Sequence, residues 1–224
     1  MTAALSKRRV FMTGASGYLG SRLIPLLLDA GHSVHALLRA SSRHRPPAGC
    51  TCLWGDPLDG ATFQDGIRGC DTFLQLVGTP KPAPWKGAQF RNVDRVSGLA
   101  SIAAATQSGR PHFIYISVAH PAPIMKDYIA VRAECETALV GSGMPATILR
   151  PWYVLGPGHW WPILLAPAYR IAEQWPSTSE AAGRLGLLTI QDMLNALVWS
   201  VEHPAETIRE MNVPDIRRLT GGGR

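Results

Sequence analysis

Three glycines carry the clearest chemical signal in this sequence. In Phe11-Met12-Thr13-Gly14-Ala15-Ser16-Gly17-Tyr18-Leu19-Gly20, the residues Gly14, Gly17 and Gly20 recur at even spacing between a short apolar run and a helix-like one. A pyrophosphate needs backbone N–H groups that approach it without a Cβ in the way, and a helix N-terminus whose unpaired amides receive its charge. A strand, this loop and a helix opening at Tyr18 meet both needs. The expected dinucleotide contacts are Thr13, Gly14, Ser16, Gly17, Tyr18, Leu19 and Gly20.

The end of the second strand bears on which dinucleotide. NAD binders usually place an acid there for the ribose 2′-hydroxyl; NADP binders place a cation near the 2′-phosphate. Leu37-Leu38-Arg39-Ala40-Ser41-Ser42-Arg43 contains no acid. Arg39 is expected to pair with the phosphate and stack on the adenine, helped by Ser41, Ser42 or Arg43. NADP(H) is the expected cofactor, with NAD(H) as the alternative.

Other groups are less specific. His120 offers an acid or base near neutrality, or a loop histidine satisfied by solvent. Trp85, His159, Trp160 and Trp161 suit a flat apolar pocket or plain packing. Asn92 and Asp94 fall at the start of a long helix, where capping accounts for them. Cys50, Cys52, Cys70 and Cys135 lack zinc-ligand spacing and read as buried thiols of a reducing compartment, so no metal site is expected.

The elements that must position these groups alternate. Strands are predicted at Arg9 to Thr13, Ser33 to Leu38, Thr51 to Trp54, Thr72 to Val77, His112 to Ser117 and Ala146 to Leu149. Helices are predicted at Tyr18 to Ala30, from about Phe90 to Gln107, and at Ile124 to Val140. After the sixth strand come a helix at Ile190 to Glu202, a short strand near Arg209 to Val213 and a frayed glycine tail. Apolar strands separated by helices indicate an α/β fold, a doubly wound parallel sheet of Rossmann type. At 224 residues, 46% hydrophobic and 17% charged, the chain reads as one ordered domain, 1–224. Residues 151–188, rich in Pro and Trp, read as a small irregular C-terminal lobe on the substrate side of the sheet.

Composition also narrows the partners. No apolar run reaches bilayer-spanning length, and the start shows no secretory signal, so a cytoplasmic protein with no membrane partner is expected. The formal charge is +6, but the basic residues are scattered, which argues against nucleic acid. The densest cluster, Arg39, Arg43, His44 and Arg45, is explained by a phosphate. A small-molecule substrate is expected; monomer and homo-oligomer are not distinguished.

Taken together, these segments resemble the short-chain dehydrogenase/reductase superfamily, in the extended and atypical branch that includes epimerase/dehydratase-like and NmrA-like NAD(P)-binding proteins. The resemblance runs through Thr13–Gly20, Gly55-Asp56, Leu76-Val77-Gly78, Tyr115-Ile116-Ser117, Tyr128-Ile129-Ala130-Val131-Arg132, Leu149–Gly158 and Leu187–Met193. It implies Asp56 near the adenine, Val77 and Gly78 beside the adenosine ribose, and Pro151, Tyr153 and Val154 along the nicotinamide. Pro57 departs from the small aliphatic residue usual after such an Asp.

The resemblance further implies that Ser117 orients a substrate carbonyl and that Tyr128 transfers a proton. Four residues on, where the family has a Lys that holds the nicotinamide ribose, this chain has Arg132. Its charge survives the change, but the longer planar fork does not reproduce a compact ammonium. An ion pair with Glu136, one helical turn on, is its bland alternative. Two functions follow from the resemblance. One is an NADP(H)-dependent oxidoreductase acting on a small carbonyl-containing substrate; the other is a catalytically weak or silent NAD(P)H-binding sensor or accessory protein. The short lobe argues against a nucleotide-sugar substrate.

Overall fold

The computed structural model describes residues 6–40, 49–122, 124–157 and 185–221. The strands are β1 (Arg9–Thr13), β2 (Ser33–Leu38), β3 (Thr51–Trp54), β4 (Thr72–Gln75), β5 (His112–Ile116), β6 (Ala146–Arg150), β7 (Tyr153–Leu155), β8 (Leu187–Thr189) and β9 (Ile208–Asn212). Seven of them form one sheet in the order β3-β2-β1-β4-β5-β6-β9, every pairing parallel. β7 and β8 pair separately. The helices are α1 (Gly20–Asp29), α2 (Gln64–Ile67), α3 (Gly87–Gln89), α4 (Val96–Gln107), α5 (Lys126–Gly141), α6 (Ile190–Glu202) and α7 (Val213–Gly221).

A parallel sheet covered on both faces needs strands that are apolar throughout, because alternate residues feed opposite cores. Val10, Met12 and Ile114 face Leu23, Ile24 and Leu27 of α1 and Met193, Leu197 and Val201 of α6. Phe11, Phe73 and Phe113 face Ile102 and Ala105 of α4 and Cys135 and Leu139 of α5. Parallel register sets these three phenylalanines side by side across adjacent strands, with ring centroids 5.2 and 4.9 Å apart. Each such side chain removed from water contributes roughly 1.5–3 kcal/mol. The strand order reverses between β1 and β4, so a crevice opens at their carboxyl ends, where doubly wound sheets hold ligands.

The predicted sheet and major helices are present, with differences at their ends. α1 begins at Gly20 rather than Tyr18, because the loop first closes a tight turn in which Gly17 N–H donates to Gly14 O at 2.9 Å. β4 stops at Gln75, since Leu76 and Val77 leave the sheet to pack against Gly14. The segment ahead of α4 is π-helical over Phe90–Arg95, a local widening often found at functional sites. β7, β8 and α7 were not foreseen. The thiols also differ from expectation: Cys135 is buried, Cys50 and Cys70 are half-buried, and Cys52 is exposed on the edge strand β3. Most of the proposed lobe, 158–184, lies outside the described residues, as do Ser41 to Arg45.

One buried group makes folding pH-dependent. His112 at the start of β5 is 5% exposed, and its Nε2 is paired with Thr147 Oγ1 at 3.0 Å. Burial, assisted by Arg209 and Arg8, pushes its pKa down to about 4 from 6.5. Between those values the unfolded chain takes up a proton that the folded chain refuses, so stability is lost as pH falls from 6.5 towards 4. His32 and His35 are lowered as well and act with the same sign. The contribution of His112 reaches at most about 3 kcal/mol. Urea unfolding of wild type is expected to weaken across that window, and His112→Gln, which keeps a partner for Thr147, is expected to flatten the slope. An undiminished slope in the variant excludes His112 as its source.

Candidate functional site

The glycine loop sits where β1 and β4 diverge. Gly14 adopts φ +70°, and a Cβ there would lie 2.7 Å from the Leu76 carbonyl carbon. A Cβ on Gly20 would collide with Gly14 O. Both glycines therefore let backbone close on backbone. Gly17 is exposed at the turn, with Ser16, Tyr18 and Leu19 half-buried around it. No side chain caps the N-terminus of α1 at Leu19. The N–H groups of Ser21, Arg22 and Leu23 already donate to the Gly17 and Leu19 carbonyls, so the glycine loop ahead of α1 is the part that fits a pyrophosphate.

Two loop residues face elsewhere than expected. Thr13 is fully buried, and its hydroxyl donates to Gln75 Oε1. That amide is held in turn by Ser97 and Ser101, each at 3.2 Å. Thr13 thus anchors the loop from below instead of offering its side chain to a ligand. Tyr18 carries the Arg22 guanidinium 4.4 Å above its ring, and its hydroxyl reaches Gly156, where a Cβ would meet it. The loop is thereby tied to the segment after β6.

Arg39 follows β2, is exposed, and makes no ion pair with a described residue. Asp56, also exposed, accepts Leu58 N–H at 2.9 Å through Oδ1. Its backbone N–H donates to Thr62 Oγ1 at 2.9 Å, so the turn after β3 is well determined. Val77 is half-buried and Gly78 exposed at the end of β4. Pro151 is buried, and its carbonyl accepts Ala119 N–H at 2.9 Å. Tyr153 and Val154 lie in β7, half-buried. Trp85 is 83% exposed and is not core packing. His159, Trp160 and Trp161 lie outside the described residues.

Beside this crevice the structure assembles a buried ion pair that sequence reasoning missed. Arg132 Nη2 lies 2.6 Å from Asp94 Oδ1, with side-chain exposures of 6% and 0%. Arg132 Nη1 donates to Ile116 O at 2.9 Å and to Tyr115 Oη at 3.3 Å. Asp94 also accepts Thr79 N–H at 3.1 Å and the Thr79 hydroxyl at 2.5 Å. Burial works against the Arg132 charge, but Tyr128, Tyr115 and Asp94 around it raise its pKa well above the ordinary arginine value. The same burial pushes the Tyr115 phenol far up, against the pull of Arg132. Asp94 is no helix cap; it fastens the loop after β4 to α5. Gly78 lies directly over the pair, since a Cβ there would sit 2.7 Å from Arg132 Nη2.

Tyr128, half-buried on the first turn of α5, has the Arg132 guanidinium 5.0 Å from its ring centroid and packs on Phe90 at 4.8 Å. The structure thus brings Tyr128 and Arg132 together, as their spacing on one helix face foretold. It does not turn Arg132 outward, because its Nη groups are taken up by Asp94, Ile116 and Tyr115, and its Nε is buried without a partner. Nor does Arg132 pair with Glu136, which is gripped by Arg150 at 2.6 Å. Ser117 is 2% exposed, its hydroxyl has no well-aligned partner, and it lies beside Glu136. No local pattern announces the Asp94–Arg132 pair, since its members lie on separate elements.

A family model described as NAD(P)H-binding matches residues 14–157, more than half of the chain, and the chain belongs to that family. This agrees with the atypical short-chain dehydrogenase/reductase branch that the motifs resemble. A ceramide reductase of Caulobacter vibrioides is 25% identical over 211 residues, covering 93% of this chain and 65% of that protein. The 4-hydroxy-2-methyl-3-oxo-4-farnesyl-3,4-dihydroquinoline-1-oxide ketoreductase of Stigmatella aurantiaca is 26% identical over 171 residues, covering 66% of this chain and 51% of that protein. The chain thus matches between half and two-thirds of the length of these relatives. Among solved structures, the Bordetella bronchiseptica enzyme WbmH in complex with NAD+ shares the fold. Its TM-score is 0.68 at 21% identity, covering 92% of this chain and 76% of that one.

Burial gives the Arg132–Asp94 pair its weight. Asp94→Ala strands a guanidinium and two Thr79 donors, and is expected to cost about 3–5 kcal/mol in denaturant unfolding. Glu134→Ala breaks the exposed pair with Arg95, 2.7 Å long, and is expected to cost under about 1 kcal/mol. Equal losses contradict the assignment.

Proposed function

We propose that the protein is an NADP(H)-dependent reductase of the short-chain type, acting on a small carbonyl-containing substrate. The observation that carries this reading is Tyr128. Its phenol stands half-buried at the start of α5 with a permanently charged guanidinium 5.0 Å from its ring, at the carboxyl edge of the sheet that bears the glycine loop. A phenol there is suited to pass its proton to a carbonyl oxygen, a step that contributes about 10²–10⁴-fold where it operates. The nicotinamide, when bound, supplies the hydride. The chain's own residues hold the pyrophosphate at Gly14 to Gly20, receive a 2′-phosphate at Arg39, and hold the proton at Tyr128. The two curated relatives, both named as reductases of carbonyl compounds or lipids, support the reaction class.

One observation favours a second reading. Arg132 stands where the family has a ribose-holding Lys, and both its Nη groups are already committed to Asp94, Ile116 and Tyr115. A protein that binds NADPH and does not turn it over, a sensor or accessory protein, fits that commitment.

Calorimetry and turnover distinguish the readings. NADPH is expected to bind at least about tenfold more tightly than NADH, and Arg39→Ala to erase that difference, a change of roughly 1.4 kcal/mol. Equal affinities in the wild type remove the role given to Arg39. Tyr128→Phe is expected to abolish NADPH consumption on a panel of aldehydes and ketones while leaving NADPH affinity unchanged. Tight NADPH binding with no consumption by wild type, and activity created by Arg132→Lys, establishes the sensor instead.

A further inference from the structure

A second charged cluster lies on the same face of the sheet, one helical turn further along α5, and the reductase reading leaves it unused. Its centre is Glu136, 6% exposed. Arg150, at the end of β6, grips it with Nη2 to Oε2 at 2.6 Å and Nε to Oε1 at 3.1 Å. Arg150 also reaches Glu210 of β9 at 2.5 Å. Burial opposes the Glu136 charge, yet Arg150, the neighbouring Ser117 hydroxyl and His120 hold its carboxyl below the usual range. Glu136 is therefore a fixed anion with a strong partner on one side only.

On its other side stands His120. The imidazole Nε2 is 3.6 Å from Glu136 Oε2, and that nitrogen is buried without another partner. The side chain as a whole is 27% exposed, so Nδ1 is the ring nitrogen left to meet a ligand. The loop bearing His120 is held in place by two backbone bonds. Ser117 N–H donates to Leu149 O at 2.7 Å and Ala119 N–H to Pro151 O at 2.9 Å. They set His120 alongside Pro151, the residue matched to the nicotinamide flank, on the connection that leads from β5 to the Tyr128 turn.

We propose that His120, oriented by Glu136, is the side chain that hydrogen-bonds the substrate oxygen in this protein, the task the family pattern assigns to Ser117. This rests on the reductase reading above. The Ser117 hydroxyl lies inside, against a carboxylate, and an anion beside a hydroxyl draws its proton inward. For His120 the carboxylate stands 3.6 Å from Nε2, where it attracts an N–H and orients the ring, leaving Nδ1 on the outer side. When Nδ1 carries a proton it donates outward to a carbonyl oxygen, which the inward-drawn Ser117 hydroxyl does not. In the neutral ring, with Nε2–H towards Glu136, Nδ1 accepts from the alcohol of the reverse reaction. The charged groups facing this imidazole are Glu136 from α5 and, through it, Arg150 of β6 and Glu210 of β9.

Two measurements on the full chain test this. First, the imidazole ring signals are followed by NMR at one fixed pH, with the His120 signal assigned by its loss in His120→Gln. Glu136→Gln is expected to move the His120 ring signals, because the carboxylate that orients the ring is gone, and to leave those of the exposed His203 unmoved. Second, His120→Gln keeps a neutral polar side chain at a partly exposed site. It is expected to lower kcat/KM for the best carbonyl found by about 10–100-fold, chiefly through KM, with NADPH affinity unchanged. His120 ring signals indifferent to Glu136, or wild-type kinetics in His120→Gln, overturn the proposal and leave the reductase reading standing. No NADPH consumption by wild type, on any carbonyl, sinks that reading and this proposal with it.

Discussion

A guanidinium removed from water must be given an anion and further acceptors, or the cost of desolvation exceeds what folding provides. Arg132 meets that demand with Asp94, the Ile116 carbonyl and the Tyr115 hydroxyl, and much of the site's geometry follows. Asp94 reaches back to Thr79, so the loop after β4, the π-helical turn before α4, the end of β5 and the first turns of α5 are joined through one pair of charges. Gly78 lacks a side chain where one would strike the guanidinium. Tyr128 takes its surroundings from the same pair, with Arg132 on one side and Phe90 on the other.

The carboxyl edge of the sheet therefore carries two charge systems in series along α5. The first, Arg132 with Asp94, is closed: both members are buried, and the two Nη groups are paired within the protein while Nε stays buried without a partner. The second, Arg150 with Glu136 and Glu210, is open on the side where His120 stands. This difference assigns them different work. A closed pair holds elements in register and changes little when a ligand arrives, whereas an open one still has a carboxylate with which to orient a neighbour.

The glycine loop and the charge pairs of α5 are structurally separate. The glycine loop depends on backbone approach at Gly14 and Gly20 and on an uncapped α1; none of that involves α5. The family match to residues 14–157 agrees with the part of the chain whose geometry is set by glycines and strands.

Local pattern was sufficient for the sheet. Apolar runs such as Val10 to Met12 and Phe113 to Tyr115, broken by Gly and Pro, dictate parallel strands because both faces must be buried. The glycine triplet dictates a tight strand-to-helix turn because a Cβ is excluded there. The spacing of Tyr128 and Arg132 dictates that they share a helix face. Tertiary structure decided what those side chains meet. Asp94, read locally as a cap, becomes the partner of Arg132 only when α5 packs against the π-helical turn. Glu136, one turn from Arg132 in sequence, is claimed by Arg150 from β6 because the sheet edge brings that guanidinium closer than the helix surface does. Hydrogen-bond and ion-pair partners of buried polar groups depend on which elements stack, and no periodicity along the chain encodes that.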